Sequence, residues 1–289
     1  MSVFLKLLRI PHYIKNLLCF AALAPSGQLL NGTKLMSAFI AFLCFCALSS
    51  AIYIFNDIKD KENDKFHSVK CLRPIAAGQI SIRTALLTGF ILLLLSGVVN
   101  YFFLGSMAGL FLAAYLVLNL AYTFKLKELP LVDVAILVSG FLLRLGYGAF
   151  VTDIKVSKWL YLTLFALMFY FALGKRRNEL ARRKDERTRK VLKAYSLEFC
   201  SRNMYMCLTL ANTFYALWCV DKDITALHGE CLLFSIPLVL LISMRYSMVI
   251  EGDSDGDPVE VLLKDKILCA LCLFYALLMF FFVYGKKLL

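Results

Sequence analysis

Residues 34–64 read KLMSAFIAFLCFCALSSAIYIFNDIKDKEND. No charged side chain lies between Lys34 and Asp57. At about 1.5 Å per residue the run is long enough to cross the roughly 30 Å hydrocarbon layer of a bilayer as one helix. At that depth only helices and closed barrels satisfy their own backbone. Directly after the run come the acids Asp57, Asp60, Glu62 and Asp64. A membrane helix that ends in a carboxylate cluster sets the first expectation: an embedded protein with chemistry at one surface.

Eight further apolar runs bounded by charges, Gly or Pro flank this one. Together they predict nine helices, at 14–30, 34–56, 82–101, 105–124, 131–150, 156–174, 199–220, 230–250 and 266–284. The 289 residues are 61% apolar or aromatic with a mean hydropathy of +0.74, against about 45–50% apolar for a soluble domain. A soluble enzyme, a secreted disulfide scaffold and a disordered chain are excluded. The expected fold is all-α, a polytopic membrane helical bundle forming a single domain over 1–289. The run at 14–30, with Lys6, Arg9 and Lys15 ahead of it and Ala22-Leu23-Ala24 at its end, imitates a secretory signal. Pro25 at the would-be cleavage position argues against processing, so the run is kept as a helix. Most of the ten cysteines lie inside apolar runs, and Cys269-x-x-Cys272 has no second pair or His nearby, so no disulfide, metal or redox role is expected of them.

The 32 Lys+Arg against 20 Asp+Glu give +12. In a membrane protein this excess belongs to cytoplasmic loops before any nucleic acid is invoked, and no nucleic-acid partner is expected. The amino terminus and alternate loops hold Lys59, Lys61, Lys65, Lys70, Arg73, Lys125, Lys127, the 175–193 cluster, Lys264 and Lys266, whereas the opposite set holds few cations. The amino terminus and the acidic loop are therefore expected on the cytoplasmic side.

If the 34–56 helix continues, steps of 100° place Asn56, Asp57, Asp60, Asn63 and Asp64 within an arc of about 120°. Three carboxylates so close repel one another unless a cation bridges them, and oxygen-only ligation suits Mg²⁺ carrying a phosphate-bearing substrate. A solvated helix end is the alternative. The next segment, Lys70-Cys71-Leu72-Arg73-Pro74-Ile75-Ala76-Ala77-Gly78-Gln79-Ile80-Ser81, sets two cations beside the acids and a helix-start residue, Ser81, before the 82–101 run.

The pattern Asn56-Asp57-x-x-Asp60-x-x-x-Asp64, followed by Arg73-Pro74-Ile75-Ala76-x-Gly78-x-Ile80-Ser81, resembles the first aspartate-rich motif of the UbiA superfamily of intramembrane prenyltransferases. Lys15-Asn16 and Leu131-Val132-Asp133 extend the similarity over nearly the whole chain. The resemblance implies a bundle around a central cavity whose cytosolic mouth binds Mg²⁺ and a phosphorylated donor, with a lipid chain in a lateral opening. It makes Asn56, Asp57, Asp60 and Asp64 the metal ligands and puts Lys15, Asn16 and Asp133 among the substrate-binding candidates.

Asp133 and Arg144 are eleven residues apart, leaving them about 20° apart around a helix axis. An arginine within an apolar helix either pairs with a neighbouring helix or lines a wet cavity and contacts an anion. Both readings stay open. Gly140, Gly146 and Gly148 on this helix are read as packing residues.

After the 156–174 run the chain reads Gly174-Lys175-Arg176-Arg177-Asn178-Glu179-Leu180 and continues to Arg189, Lys190 and Tyr195, with ten cations in the nineteen positions 175–193. Either this loop lies on anionic headgroups, or it grips a donor richer in phosphate than a prenyl diphosphate. Ordinary aromatic prenyltransferases of the superfamily carry a second aspartate motif here. Gly-Lys-Arg-x-x-Glu-Leu, Arg189-Lys190-x-Leu192-x-x-Tyr195 and Gly256-Asp257-Pro258-Val259-Glu260 instead resemble the polyprenyl-phosphate phosphoribosyltransferase branch, decaprenyl-phosphate enzymes included. The alternation Asp253, Asp255, Asp257 is no calcium loop, because Pro258 replaces the required glycine and Lys264 the bidentate Glu.

The branch implies transfer of a 5-phosphoribosyl group from 5-phosphoribosyl 1-diphosphate to a polyprenyl phosphate at the cell inner membrane. Lys70, Arg73, Lys175, Arg176, Arg189 and Lys190 are then phosphate contacts. Glu179, grouped with the catalytic carboxylates, and Tyr195 would orient the ribose or a metal. Arg144 is the buried anion contact. The second reading is prenyl transfer from a prenyl diphosphate to an aromatic or other small acceptor; the third is a non-enzymatic lipid carrier. A second copy of the chain stays among the candidate partners.

Overall fold

The computed structural model describes residues 3–66, 70–182, 190–252, 254 and 256–288, with the side chains of 190 and 286–288 outside the description. No strand occurs among them. The α-helices are α1 (Val3–Leu7), α2 (Gly32–Lys59), α3 (Lys61–Lys65), α4 (Ile82–Leu104), α5 (Gly109–Phe124), α6 (Val132–Thr152), α7 (Lys158–Ala181), α8 (Leu197–Val220), α9 (Lys222–His228), α10 (Ile236–Glu251), α11 (Pro258–Lys264) and α12 (Lys266–Leu288). Among the described residues five helices are long and apolar enough to cross a membrane: Gly32–Lys59, Ile82–Leu104, Val132–Thr152, Glu230–Glu251 and Lys266–Gly285. The runs predicted at 105–124, 156–174 and 199–220 fall on α5, α7 and α8.

Helix starts follow side-chain chemistry. Asn31 accepts the backbone N–H of Lys34, Ser81 that of Thr84, Ser196 that of Phe199 and Asp257 that of Val259. Each satisfies one of the amide groups that a first helical turn leaves without a partner.

The run at 14–30 departs from expectation. It is not one α-helix but two 3₁₀ segments, Ile10–Phe20 and Ala24–Ser26. A 3₁₀ helix has three residues per turn, so positions three apart align. Tyr13, Asn16 and Cys19 are spaced in that way: Tyr13 bonds Ser50, Asn16 bonds Cys46 and Ser49, and Cys19 is buried. The tighter winding brings all three onto their partners, whereas an α-helix would turn Cys19 aside. Gly27, at φ 72°, then turns the chain away.

The chain forms two compact units. The first comprises residues 1–23, 29–124 and 143–154; the second comprises 24–28, 125–142 and 155–289. Helix α6 therefore contributes its first half to the second unit and its second half to the first. In the first unit α4 packs along α2, with Gly89 under the ring of Phe55, and a core of Cys19, Phe45, Leu48, Leu112, Tyr115 and Tyr147 closes around them. In the second unit α7 packs along α8. There Gly256, at φ 79°, lets the loop before α11 approach the backbone of Lys175, because a Cβ would come within 2.8 Å of the Lys175 Cα.

Candidate functional site

In the first unit, α2 ends at Lys59 and Asp60 takes φ −90° and ψ 3° before the chain winds again into α3. Burial varies along the predicted acidic face. Asp57 and Asp64 are buried, at 3% and 4% exposure, Asp60 is half-buried and Asn63 is exposed. Arg73 joins the two buried acids: its Nη1 donates to Asp57 Oδ1 at 3.0 Å and to Asp64 Oδ2 at 2.6 Å. Arg9 Nη2 donates to the same Asp57 oxygen at 2.5 Å, with its guanidinium 4.7 Å above the Tyr53 ring. Asn56 lies apart from this pairing and accepts a hydrogen bond from Thr123. Among the described residues no three acidic, His or Cys side chains are gathered closely enough to enclose a metal. The donor set nonetheless fits a hard divalent cation. Oxygens of two carboxylates converge on one positively charged nitrogen, and Mg²⁺ characteristically takes one or two carboxylates plus substrate phosphate oxygens.

Arg144, in the same unit, is 4% exposed. Its Nε donates to Asn16 Oδ1 at 2.7 Å and its Nη2 to the Tyr115 hydroxyl at 2.9 Å, and its guanidinium lies against the rings of Phe45 and Tyr115. Asn16, predicted as a substrate contact, is itself buried and spans Arg144, Cys46 and Ser49. It orients the arginine. Lys15 and Lys70 are half-buried.

The second unit contains a different network. Arg176 and Asp133 are both fully buried and joined at 2.6 Å, and Arg176 Nη1 also donates to Glu179 at 2.7 Å. The remaining Asp133 oxygen accepts from the Tyr195 hydroxyl at 2.6 Å, and that hydroxyl accepts the Leu131 N–H at 2.6 Å. Arg176, expected at a phosphate, holds Asp133 and Glu179 in place. Lys175 reaches Asp257 at 3.4 Å and is about one-third exposed. Asn178 donates to the carbonyls of Ile250 and Ser254, tying α7 to the segment before α11. Arg189, the cations at 183–187, Asp253 and Asp255 lie outside the described residues, as does the side chain of Lys190.

Burial and the bond to Asp133 both raise the pKa of Tyr195, so its hydroxyl stays protonated and donating. Leu131 sits at φ 66°, a conformation costly for a residue with a Cβ, and the Tyr195 hydroxyl holds it there. Tyr195→Phe is therefore expected to destabilise the protein by about 1–3 kcal/mol, since it leaves a buried carboxylate oxygen and an amide N–H short of a partner. Thermal unfolding of the purified variant checks this, and an unchanged midpoint would refute it.

Sequence reasoning missed Arg9, Thr123, Tyr115 and Asn178. Arg9 counted only as a flanking cation, and the others carry no motif. Their roles arise from contacts 29 to 76 residues distant in sequence.

Apolar membrane-length helices, with buried carboxylates paired to arginine where one of them ends, define a membrane-embedded protein built to handle charge at one surface. A model of the UbiA prenyltransferase family matches residues 17–255, and the chain belongs to that family. It is a multi-pass membrane transferase. The decaprenyl-phosphate phosphoribosyltransferase of Mycolicibacterium smegmatis is 32% identical over 281 residues, covering 92% of this chain and 88% of the relative. The enzyme of the same name from Mycobacterium tuberculosis is 31% identical over 277 residues, covering 93% and 90%. A UbiA homolog from Archaeoglobus fulgidus, solved with GPP and Mg²⁺, superposes with a TM-score of 0.69 at 20% identity, covering 96% of this chain and 99% of that one. At that identity the likeness establishes the fold.

Proposed function

We propose that the chain transfers a 5-phosphoribosyl group from 5-phosphoribosyl 1-diphosphate to a polyprenyl phosphate, releasing diphosphate. The observation that carries this reading is similarity along nine-tenths of the chain to relatives named for that reaction. The sequence that follows the 156–174 run supports it too. Where a second carboxylate cluster would serve a prenyl diphosphate, Glu179 is held by Arg176 beside Lys175 and Arg177.

In the reaction an oxygen of the lipid phosphate bonds to the ribose anomeric carbon while the bond to the diphosphate oxygen breaks, and diphosphate departs with the electron pair. The acceptor phosphate is already ionised, so no strong base is required. Catalysis consists of positioning two anions and stabilising the charge that develops on the leaving group. Asp57, Asp60 and Asp64 would hold Mg²⁺, which when bound neutralises diphosphate charge. Arg73 and Lys70 flank those acids and would take phosphate oxygens. In the second unit Lys175 would be a phosphate contact, and Arg176 bonds Asp133 and Glu179. Residence in the cell membrane is what the family implies, and the basic asymmetry of the loops argues for the acidic loop on the cytoplasmic side.

Membranes containing the protein, supplied with Mg²⁺, a polyprenyl phosphate and radiolabelled 5-phosphoribosyl 1-diphosphate, are expected to incorporate label into lipid. Chelation of the metal should stop the reaction, and Asp60→Asn should reduce it by about a hundredfold or more. Transfer from a labelled prenyl diphosphate to an aromatic acid instead would overturn this reading in favour of prenyl transfer. A function that survives Asp60→Asn intact would favour a carrier.

A further inference from the structure

Asp57 and Asp64 are both paired with arginine. Two carboxylates face two guanidiniums, which balance their charge, and these two acids are nearly buried, with side chains 4% and 6% exposed. The arginine side chains are more accessible, at 20% and 26%. A free divalent cation entering here would meet two positive charges within a few ångströms and would have to displace both from short bonds. A diphosphate bound to the metal brings its own negative charge, gives the displaced guanidiniums new partners, and leaves the site close to neutral. Arg9 is placed for such an exchange. Its guanidinium lies over the Tyr53 ring, which keeps it at the site when it leaves Asp57, and its backbone is held at φ 53°, a position stabilised by the anchoring of Leu8 O to Ser50 and of Tyr13 to Ser50.

We propose that Arg9 and Arg73 close the Asp57–Asp64 pair to free divalent metal, and that the pair opens to metal arriving with a diphosphate, whose oxygens the two guanidiniums then take. Metal and diphosphate binding are thereby positively coupled, and Arg9 becomes a diphosphate-binding residue of the reaction. The inference rests on the reading of Asp57 and Asp64 as metal ligands.

The test measures Mn²⁺ binding to the full chain in lipid nanodiscs by electron paramagnetic resonance, with and without inorganic pyrophosphate. For the native protein pyrophosphate is expected to tighten Mn²⁺ binding by at least about tenfold beyond what pyrophosphate and Mn²⁺ do in free solution. The double variant R9Q/R73Q should bind Mn²⁺ alone about tenfold more tightly than the native protein and lose most of the coupling. R9K/R73K keeps the charge and should keep part of the coupling, which separates charge from loss of fold; thermal unfolding of each variant checks the latter. If the native protein and folded R9Q/R73Q bind free Mn²⁺ equally, the proposal is wrong. Asp57→Asn separates the two layers: Mn²⁺ binding unchanged in that variant overturns the metal reading itself, whereas binding lost there without coupling in the native protein overturns only the role of the arginines.

Discussion

Arg176→Met is expected to lower the stability of the protein by about 3–5 kcal/mol, the usual consequence of removing one partner from a buried ion pair. Methionine fills much of the arginine volume, so the loss comes from charge rather than from a cavity. Asp133 is fully buried and would be left with only the Tyr195 hydroxyl and the surroundings of a low-dielectric interior, and Glu179 would lose its 2.7 Å partner. The double variant D133L/R176M removes both buried charges and should recover a large part of the loss. Unfolding midpoints of the two singles and the double form a thermodynamic cycle. Strictly additive effects would show that the pair contributes nothing as a pair.

Gly148→Ala is expected to be comparably damaging, for a purely steric reason. A Cβ at position 148 would lie 1.9 Å from the Cys19 carbonyl oxygen and 2.6 Å from its carbon. These are backbone atoms of the Ile10–Phe20 segment, which Asn16 and Tyr13 pin to α2, so neither partner can yield without breaking those bonds. A destabilisation of about 3 kcal/mol is expected, at the upper end for overpacking. Gly97→Ala is the control. That glycine lies within α4 with nothing within 4 Å of the added Cβ, and the substitution should be neutral or stabilising by up to about 1 kcal/mol. Equal effects from the two alanines would refute the steric account. Gly148 was read from the sequence as a packing residue; what it packs against was not readable.

The acidic face shows how far local periodicity reaches. Steps of 100° correctly brought Asp57 and Asp64 to one side, because seven residues are close to two helical turns. They also placed Asn56, Asp60 and Asn63 in the same arc; of these Asn56 bonds Thr123, Asp60 is half-buried and Asn63 is exposed. The 14–30 run failed for a related reason. Its apolar composition matched a membrane helix, but the three-residue spacing of Tyr13, Asn16 and Cys19 is served better by 3₁₀ winding once α2 is present to bond them.

Arg176 illustrates the other limit. Its neighbours in sequence suggest a phosphate contact, but they do not show the carboxylate it pairs with. Its partner Asp133 lies 43 residues earlier, and no spacing rule connects them.

From its sequence alone the chain is a helical membrane protein of recognisable motif, with its apolar runs, helix caps, acidic cluster and family pattern all in view. These properties are local, set by transfer free energy and by contacts within a few residues. Which arginine neutralises which carboxylate, that Asn16 orients Arg144, and that Gly148 touches Cys19 were decided by tertiary structure, because burial makes each polar group find a partner and only packing determines which partner is within reach.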